Sequence, residues 1–262
     1  MEIFILSDGG TLSYEKKGEG NALLFIHGLG AESSMYKPQI EYFSKKYQVI
    51  VSDLRGNGQS DELVCSPDEV LDLQANDIVE LLEHLDVKTV VVCGVSYGGV
   101  MAIHLITRFP KLFKGMILCD TFCTTETMPL LNLIVKITLP LSNSKWFMKR
   151  ATRLIYKRWP LASAYFNKLF SNFRKDEAIL QRKAIMNIDY RKSLKYLNIP
   201  VLCMAGDYGK KLVDTMNTIL KYIPSAKHFV IYNSFDPSNL CQSDIYNGHI
   251  EKFLAEDIGW LQ

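Results

Sequence analysis

The chain has 262 residues, 48% of them hydrophobic, and its 30 Lys and Arg against 28 Asp and Glu leave a formal net charge of +2. Such a length and apolar content support one large core, and so mild a charge argues against nucleic acid as the main partner. The opening Met1-Glu-Ile-Phe-Ile-Leu-Ser-Asp-Gly-Gly lacks the basic lead and long apolar stretch of a secretory signal, which predicts a cytoplasmic protein. Met128 to Leu141, the longest apolar run, contains Lys136 and two prolines and falls short of the roughly 20 residues that span a bilayer, so no transmembrane segment is expected. The six cysteines show no metal-type pairing and read as reduced, non-catalytic thiols.

Taken in order, residues 2–15 read as a hairpin with its turn at Asp8-Gly9-Gly10. Ala22-Leu-Leu-Phe-Ile is an unbroken apolar run, the pattern of a strand covered on both faces, and it ends in His27-Gly28-Leu29-Gly30. Glycine there lets a backbone amide approach a ligand closely, and the Leu29 amide becomes a candidate oxyanion donor. His27, at a strand end beside glycine-rich backbone, reads as a structural hydrogen-bonder. A helix over about 35–45 leads to the strand Gln48-Val-Ile-Val-Ser and then to the polar loop Asp53-Leu-Arg-Gly-Asn-Gly-Gln-Ser60, which suits ion-paired scaffolding behind a site. Apolar positions at helical spacing fill 68–85, with His84 near the end as a surface or packing residue.

Thr89-Val-Val-Val-Cys then stops abruptly at Gly94-Val95-Ser96-Tyr97-Gly98-Gly99 and turns helical. With Ser96 at the tip of a strained turn, the residues two before and two after it crowd strand and helix and must be small. Gly94 and Gly98 meet that need. The turn lifts the Ser96 hydroxyl clear of the sheet and sets the Tyr97 amide at the positive end of the next helix, facing where an oxyanion would form. After the elbow helix, which ends at Arg108-Phe109-Pro110, Gly115-Met-Ile-Leu-Cys-Asp120 is another buried strand.

Residues 121 to about 195 hold no convincing strand, only apolar and basic helical patterns broken at Pro129, Pro140 and Pro160. Within them Met128–Leu141 suits either an apolar acyl pocket or simple packing, and Lys145, Lys149, Arg153 and Lys157, four apart, mark a solvated basic face or, as the lesser alternative, one that attracts an acidic substrate or anionic lipid. The sheet resumes at Ile199-Pro-Val-Leu-Cys-Met-Ala-Gly206. A helix over about 211–222, a strand at His228-Phe-Val-Ile-Tyr and a helix over about 243–256 close the chain. Alternating strands and helices predict an α/β, doubly wound, mostly parallel sheet with ligands at the carboxyl ends of its strands.

His27-Gly28-x-Gly30, Asp53-x-Arg55-Gly56-x-Gly58-x-Ser60, Gly94-x-Ser96-x-Gly98-Gly99 and Phe109-Pro110 stand in order at spacings that resemble the α/β-hydrolase superfamily, in its small cofactor-free esterase, lactonase and C–C hydrolase branch. The resemblance implies a core of 1–120 and 196–262, with 121–195 as a helical cap inserted after the sixth strand. It also implies no metal or organic cofactor, a small-molecule substrate, and a Ser, acid, His triad in that order, with Ser96 as nucleophile and the Leu29 and Tyr97 amides on the oxyanion.

Two triad positions depart from the pattern. The acid falls three residues past Gly206, which is Gly209, leaving Asp207 nearby or Asp120 after the sixth strand as substitutes. The family's Gly-His pair falls on Phe235-Asp236. His228 lies inside a strand and His249 inside the last helix, so the base is either Asp236, weak at an ordinary carboxyl pKa near 3.9 unless burial raises it, or a histidine placed elsewhere by the fold. Two functions follow: a serine hydrolase of an ester, thioester or lactone with an apolar acyl part, or a degenerate relative that binds a small ligand or partner without turnover.

Overall fold

A computed structural model describes residues 1–125, 145–171 and 173–260 of the chain. Eight strands form one sheet: β1 (Glu2–Ile5), β2 (Thr11–Lys17), β3 (Ala22–Ile26), β4 (Gln48–Ser52), β5 (Val90–Val95), β6 (Phe113–Cys119), β7 (Val201–Gly206) and β8 (Lys227–Ile231). Their order is β1-β2-β4-β3-β5-β6-β7-β8, with β1 and β2 antiparallel to their neighbours and the rest parallel. Every residue of β3, β5 and β7 is buried, which explains why their sequences are continuous apolar runs instead of alternating ones.

Helices cover both faces. On one side α2 (Val70–His84), α3 (Tyr97–Arg108) and α8 (Lys210–Leu220) pack Leu81, Leu82, Val100, Met101, Met216 and Ile219 against Leu24, Ile26, Val90 and Val92. On the other, α1 (Lys37–Phe43) and α10 (Ser243–Glu256) bring Ile40, Phe43, Tyr246 and Phe253 onto Leu23, Phe25, Val91 and Cys93. Odd and even residues of one strand thus feed opposite cores, as the two-residue period of a strand requires.

Between β6 and β7 the described residues carry α4 (Lys145–Ile155), α5 (Pro160–Leu169), α6 (Lys175–Ala184) and the single turn α7 (Arg191–Leu194). Their strand-like contact is one isolated bridge, Thr124 with Asp189. The run Met128–Leu141 lies outside the described residues, as do the side chains of Lys145 and Lys149; Arg153 and Lys157 are exposed. Element ends differ from the expected ones by one or two residues. One further short helix, α9 (Ser238–Cys241), had no periodic signal because four residues are too few to show one. Among the described residues no helix is long and apolar enough to cross a membrane.

Strand order reverses around β3, between β4 and β5, and a doubly wound sheet opens its ligand crevice at such a point, beyond the carboxyl ends of the strands. His27–Gly30 follows β3, Ser96 follows β5, Asp120 follows β6, and the loop 232–237 follows β8, so four segments converge there.

Candidate active site

Ser96 sits at φ 56°, ψ −117°, left-handed backbone that a residue with a side chain adopts only when its surroundings impose it. Its N–H donates to the Cys119 carbonyl at 2.9 Å, and its own carbonyl accepts from the Thr121 hydroxyl at 2.7 Å and the Gly99 N–H at 3.0 Å. The need for glycine around it is steric. A Cβ on Gly94 would overlap the Gly98 carbonyl, and one on Gly98 would overlap the Ile26 carbonyl of β3. Ser96 itself is partly exposed, and its hydroxyl lies beside the carboxyl of Asp236, whose charged form it favours.

The loop that carries Asp236 is tied down at each step. Tyr208 N–H donates to Ser234 O at 2.9 Å, Ser234 N–H to Asp207 Oδ1 at 3.2 Å, and Trp159 Nε1 to Asn233 O at 2.8 Å. Tyr156 Oη, from just past the end of α4, donates to the Asp236 carbonyl at 2.5 Å. Asp120, in left-handed backbone at φ 49° and almost fully buried, accepts from Gly206 N–H at 2.8 Å on Oδ1 and from Ser238 N–H at 2.7 Å on Oδ2. Burial pushes the Asp236 carboxyl up to about 8, helped by the negative charge of Asp120 and opposed by the Ser96 hydroxyl. Burial also raises Asp120, but its two backbone amides pull the other way.

The segment after β3 runs beside the serine, for a Cβ on Gly28 would lie 3.7 Å from Ser96 Cβ. Among the described residues neither the Leu29 nor the Tyr97 N–H has an acceptor, while the Gly28 and Gly30 amides on either side of Leu29 are engaged. The Tyr97 side chain points into the core, donating to Gln74 Oε1 at 2.7 Å, which leaves its amide at the first turn of α3. From α6, Gln181 Oε1 accepts from Gly30 N–H at 3.4 Å, and the Phe173 ring and Ala178 press on Gly30.

None of the five histidines replaces Asp236 at the serine. His27 is buried, with Nε2 accepting from Leu54 N–H at 3.0 Å and Nδ1 2.8 Å from the Gly28 carbonyl; burial lowers its pKa, so it stays neutral. His84 stacks on Phe4 and His249 on Phe229, and His228 is exposed on the edge strand β8. His104 sits between Tyr190 Oη and Asp72 Oδ1, both at 2.8 Å, on α3. Asp207 is exposed and held by the Ser234 amide. Asp53 accepts the Ser33 and Gln59 amides, and Arg55 grips Asp77 with two hydrogen bonds and Asp8 with a third, so both act as scaffold. No pattern in the chain singled out Tyr156 and Trp159, whose partners lie 80 and 74 residues away. Among the described residues no group of three or more His, Cys, Asp or Glu is placed to hold a metal ion.

A family model described as alpha/beta hydrolase fold matches residues 21–149. The chain is 24% identical over 262 aligned residues to 3-oxoadipate enol-lactonase 1 of Acinetobacter baylyi, covering 93% of this chain and 94% of that one. To 3-oxoadipate enol-lactonase 2 of the same organism it is 38% identical over 113 residues, which span 42% of each. Among solved structures, the enol-lactonase of Burkholderia xenovorans superposes with TM-score 0.80 at 20% identity, over 97% of this chain and 100% of that one. A thermophilic esterase of Thermogutta terrifontis gives 0.84 at 21% identity, over 98% and 99%. The strand order, the serine elbow and these likenesses agree on one architecture, and the chain has the alpha/beta hydrolase fold.

Proposed function

We propose that this protein is a serine hydrolase of carboxylic esters, thioesters or lactones with an apolar acyl part. The observation that carries the reading is the Ser96 hydroxyl, held on strained backbone beside the buried Asp236 carboxyl. Asp236 in its ionised form accepts the Ser96 proton as Oγ attacks the acyl carbon. The carbonyl π electrons move onto oxygen, where the Leu29 and Tyr97 amides receive the charge. Collapse breaks the bond to the leaving oxygen or sulfur, which takes the proton from Asp236; a water deprotonated by Asp236 then attacks the acyl carbon, and as the acyl–Oγ bond breaks Ser96 Oγ takes that proton back, releasing the acid. Lactonase and esterase relatives support the substrate class. An apolar acyl group suits the ring series Tyr156, Phe166, Phe170 and Phe173, with successive centroids 4.5, 6.3 and 5.7 Å apart. That series runs from the Asp236 loop to Gly30, and with α4 to α6 we assign it to a cap over the serine.

A second reading, a ligand-binding relative without turnover, draws on Gly209 at the usual acid position and on the missing imidazole. Intact-mass labelling with a fluorophosphonate separates the two, using wild type, Ser96→Ala and Asp236→His at equal concentration. The hydrolase reading expects an adduct in wild type, faster at pH 9 than at pH 6.5, that vanishes in Ser96→Ala. An unlabelled wild type with labelling gained in Asp236→His establishes the binder instead.

A further inference from the structure

We propose, independently of the hydrolase reading, that the corner where α4 turns into α5 is a docking surface for an anionic lipid membrane. Charge is sharply divided along the chain. From Lys145 to Lys175 there are nine Lys and Arg and no Asp or Glu, whereas the other 231 residues hold 21 Lys and Arg against 28 Asp and Glu. A stretch of net charge +9 is therefore joined to a body of net charge −7. Elsewhere on the surface cations meet acids, as Lys46 does Glu251 and Lys227 does Glu256 and Asp257. At the corner, Arg153, Lys157 and Arg158 are exposed and form no ion pair among the described residues.

The same corner exposes aliphatic side chains. Leu154 is 69% exposed, Ile155 51% and Leu161 53%. Beside them Tyr208 is 58% exposed, with the Arg158 guanidinium 4.7 Å from its ring centroid and the Trp159 ring edge-on at 5.3 Å. Trp159 is buried and bonds Asn233 O, and Tyr156 bonds Asp236 O, so the turn is fixed to the core while its neighbours stand in solvent. Single exposed aliphatic residues are ordinary, but a group of them among unpaired cations is the composition of an interfacial helix. Leu and Ile enter the headgroup boundary, Lys and Arg reach the lipid phosphates, and tyrosine settles where apolar meets wet. A soluble acidic partner answers the cations and leaves the aliphatic groups wet, and an apolar partner does the reverse; an anionic bilayer answers both. The net negative remainder of the chain is repelled by the same lipid, which favours one orientation, corner toward the bilayer. Because this turn also holds the loop of Asp236, docking brings that loop close to the lipid.

The test is co-sedimentation of the full chain with vesicles of phosphatidylcholine alone or of phosphatidylcholine mixed with phosphatidylglycerol, at low and at high salt. Wild type is expected to bind the mixed vesicles about tenfold or more tightly than the neutral ones, and less tightly as salt rises. Arg153→Glu combined with Lys157→Glu is expected to lose about tenfold or more of that affinity. Lys16→Glu combined with Lys17→Glu changes net charge equally at the end of β2, which pairs with the start of β4 and so lies away from the site; it is expected to stay within about threefold of wild type. Leu154→Ser combined with Ile155→Ser leaves every charge in place and is expected to lose severalfold. All six positions are exposed, so the comparison does not turn on folding. No sedimentation with the mixed vesicles overturns the proposal, and so do equal losses from the two charge-reversed proteins, the mark of net charge acting alone. Wild-type affinity in the Leu154→Ser, Ile155→Ser protein also overturns it, since a purely electrostatic patch suits any polyanion. A protein that docks but never reacts with the fluorophosphonate keeps the docking surface and removes the hydrolase reading alone.

Discussion

Ser96 is placed by what surrounds it more than by its own preferences. Left-handed backbone at a residue with a side chain costs on the order of 1–3 kcal/mol, and it persists because Cys119, Thr121, Gly94 and Gly98 leave the turn no alternative. Gly94→Ala puts a methyl into the Gly98 carbonyl, with rigid backbone on both sides, and is expected to cost about 1–3 kcal/mol or more. Gly248→Ala, whose new methyl meets nothing within 4 Å on α10, is expected to stabilise by roughly 0.5–1 kcal/mol. Chemical denaturation of the two variants against wild type checks the contrast, and equal losses would refute the steric account of the elbow. This part of the site was legible in the chain, since a G-x-S-x-G turn after an apolar run is a local pattern with a local cause.

At the scale of elements, the loop after β8 has no regular structure of its own and takes its shape from others. Tyr156 and Trp159 hold the carbonyls of Asp236 and Asn233, and Trp159 stacks on the ring of Phe235 at 6.4 Å. The Tyr156 hydroxyl contributes no charge to the chemistry, yet it sets where the Asp236 backbone lies. Tyr156→Phe keeps the ring and is expected to cost about 1 kcal/mol of stability. Ser96 labelling should slow about tenfold with its pH midpoint unmoved, because small displacements of a base are costly. A labelling rate equal to wild type would show that the loop holds its position without this bond. Nothing in the sequence around Tyr156 announces the contact, for periodicity reports which face of a helix is buried and not which distant loop lies under it.

For the molecule as a whole, the site imposes a cost on stability that varies with pH. Asp236 keeps its proton to about pH 8 in the folded chain and loses it near 4 once unfolded. The folded state therefore binds the extra proton between those values, and stability falls as pH rises across that window. Asp236→Asn cannot ionise, so its melting temperature is expected to match or slightly trail wild type at pH 5 and to exceed it at pH 9. For a chain of this size each kcal/mol is roughly 2–4 °C. Calorimetry at the two pH values decides it, and a pH-independent difference would place the ionisation elsewhere.

By itself the sequence determined the strand and helix order, the mostly parallel sheet, the turn that carries Ser96 and the glycine-bearing segment after β3. Each is written in contiguous residues: apolar runs for β3, β5 and β7, and glycines at fixed offsets from Ser96. It also showed that Asp236 stands where a histidine is usual and that Asp207 and Asp120 competed as acids. Tertiary structure alone brought Asp236 to Ser96, turned Asp207 to the Ser234 amide, and clamped Asp120 between Gly206 and Ser238. The physical reason is that a carboxyl's basicity depends on the burial, hydrogen bonds and charges around it. Those come from β6, β7, α4 and α9, which meet only when the sheet is assembled.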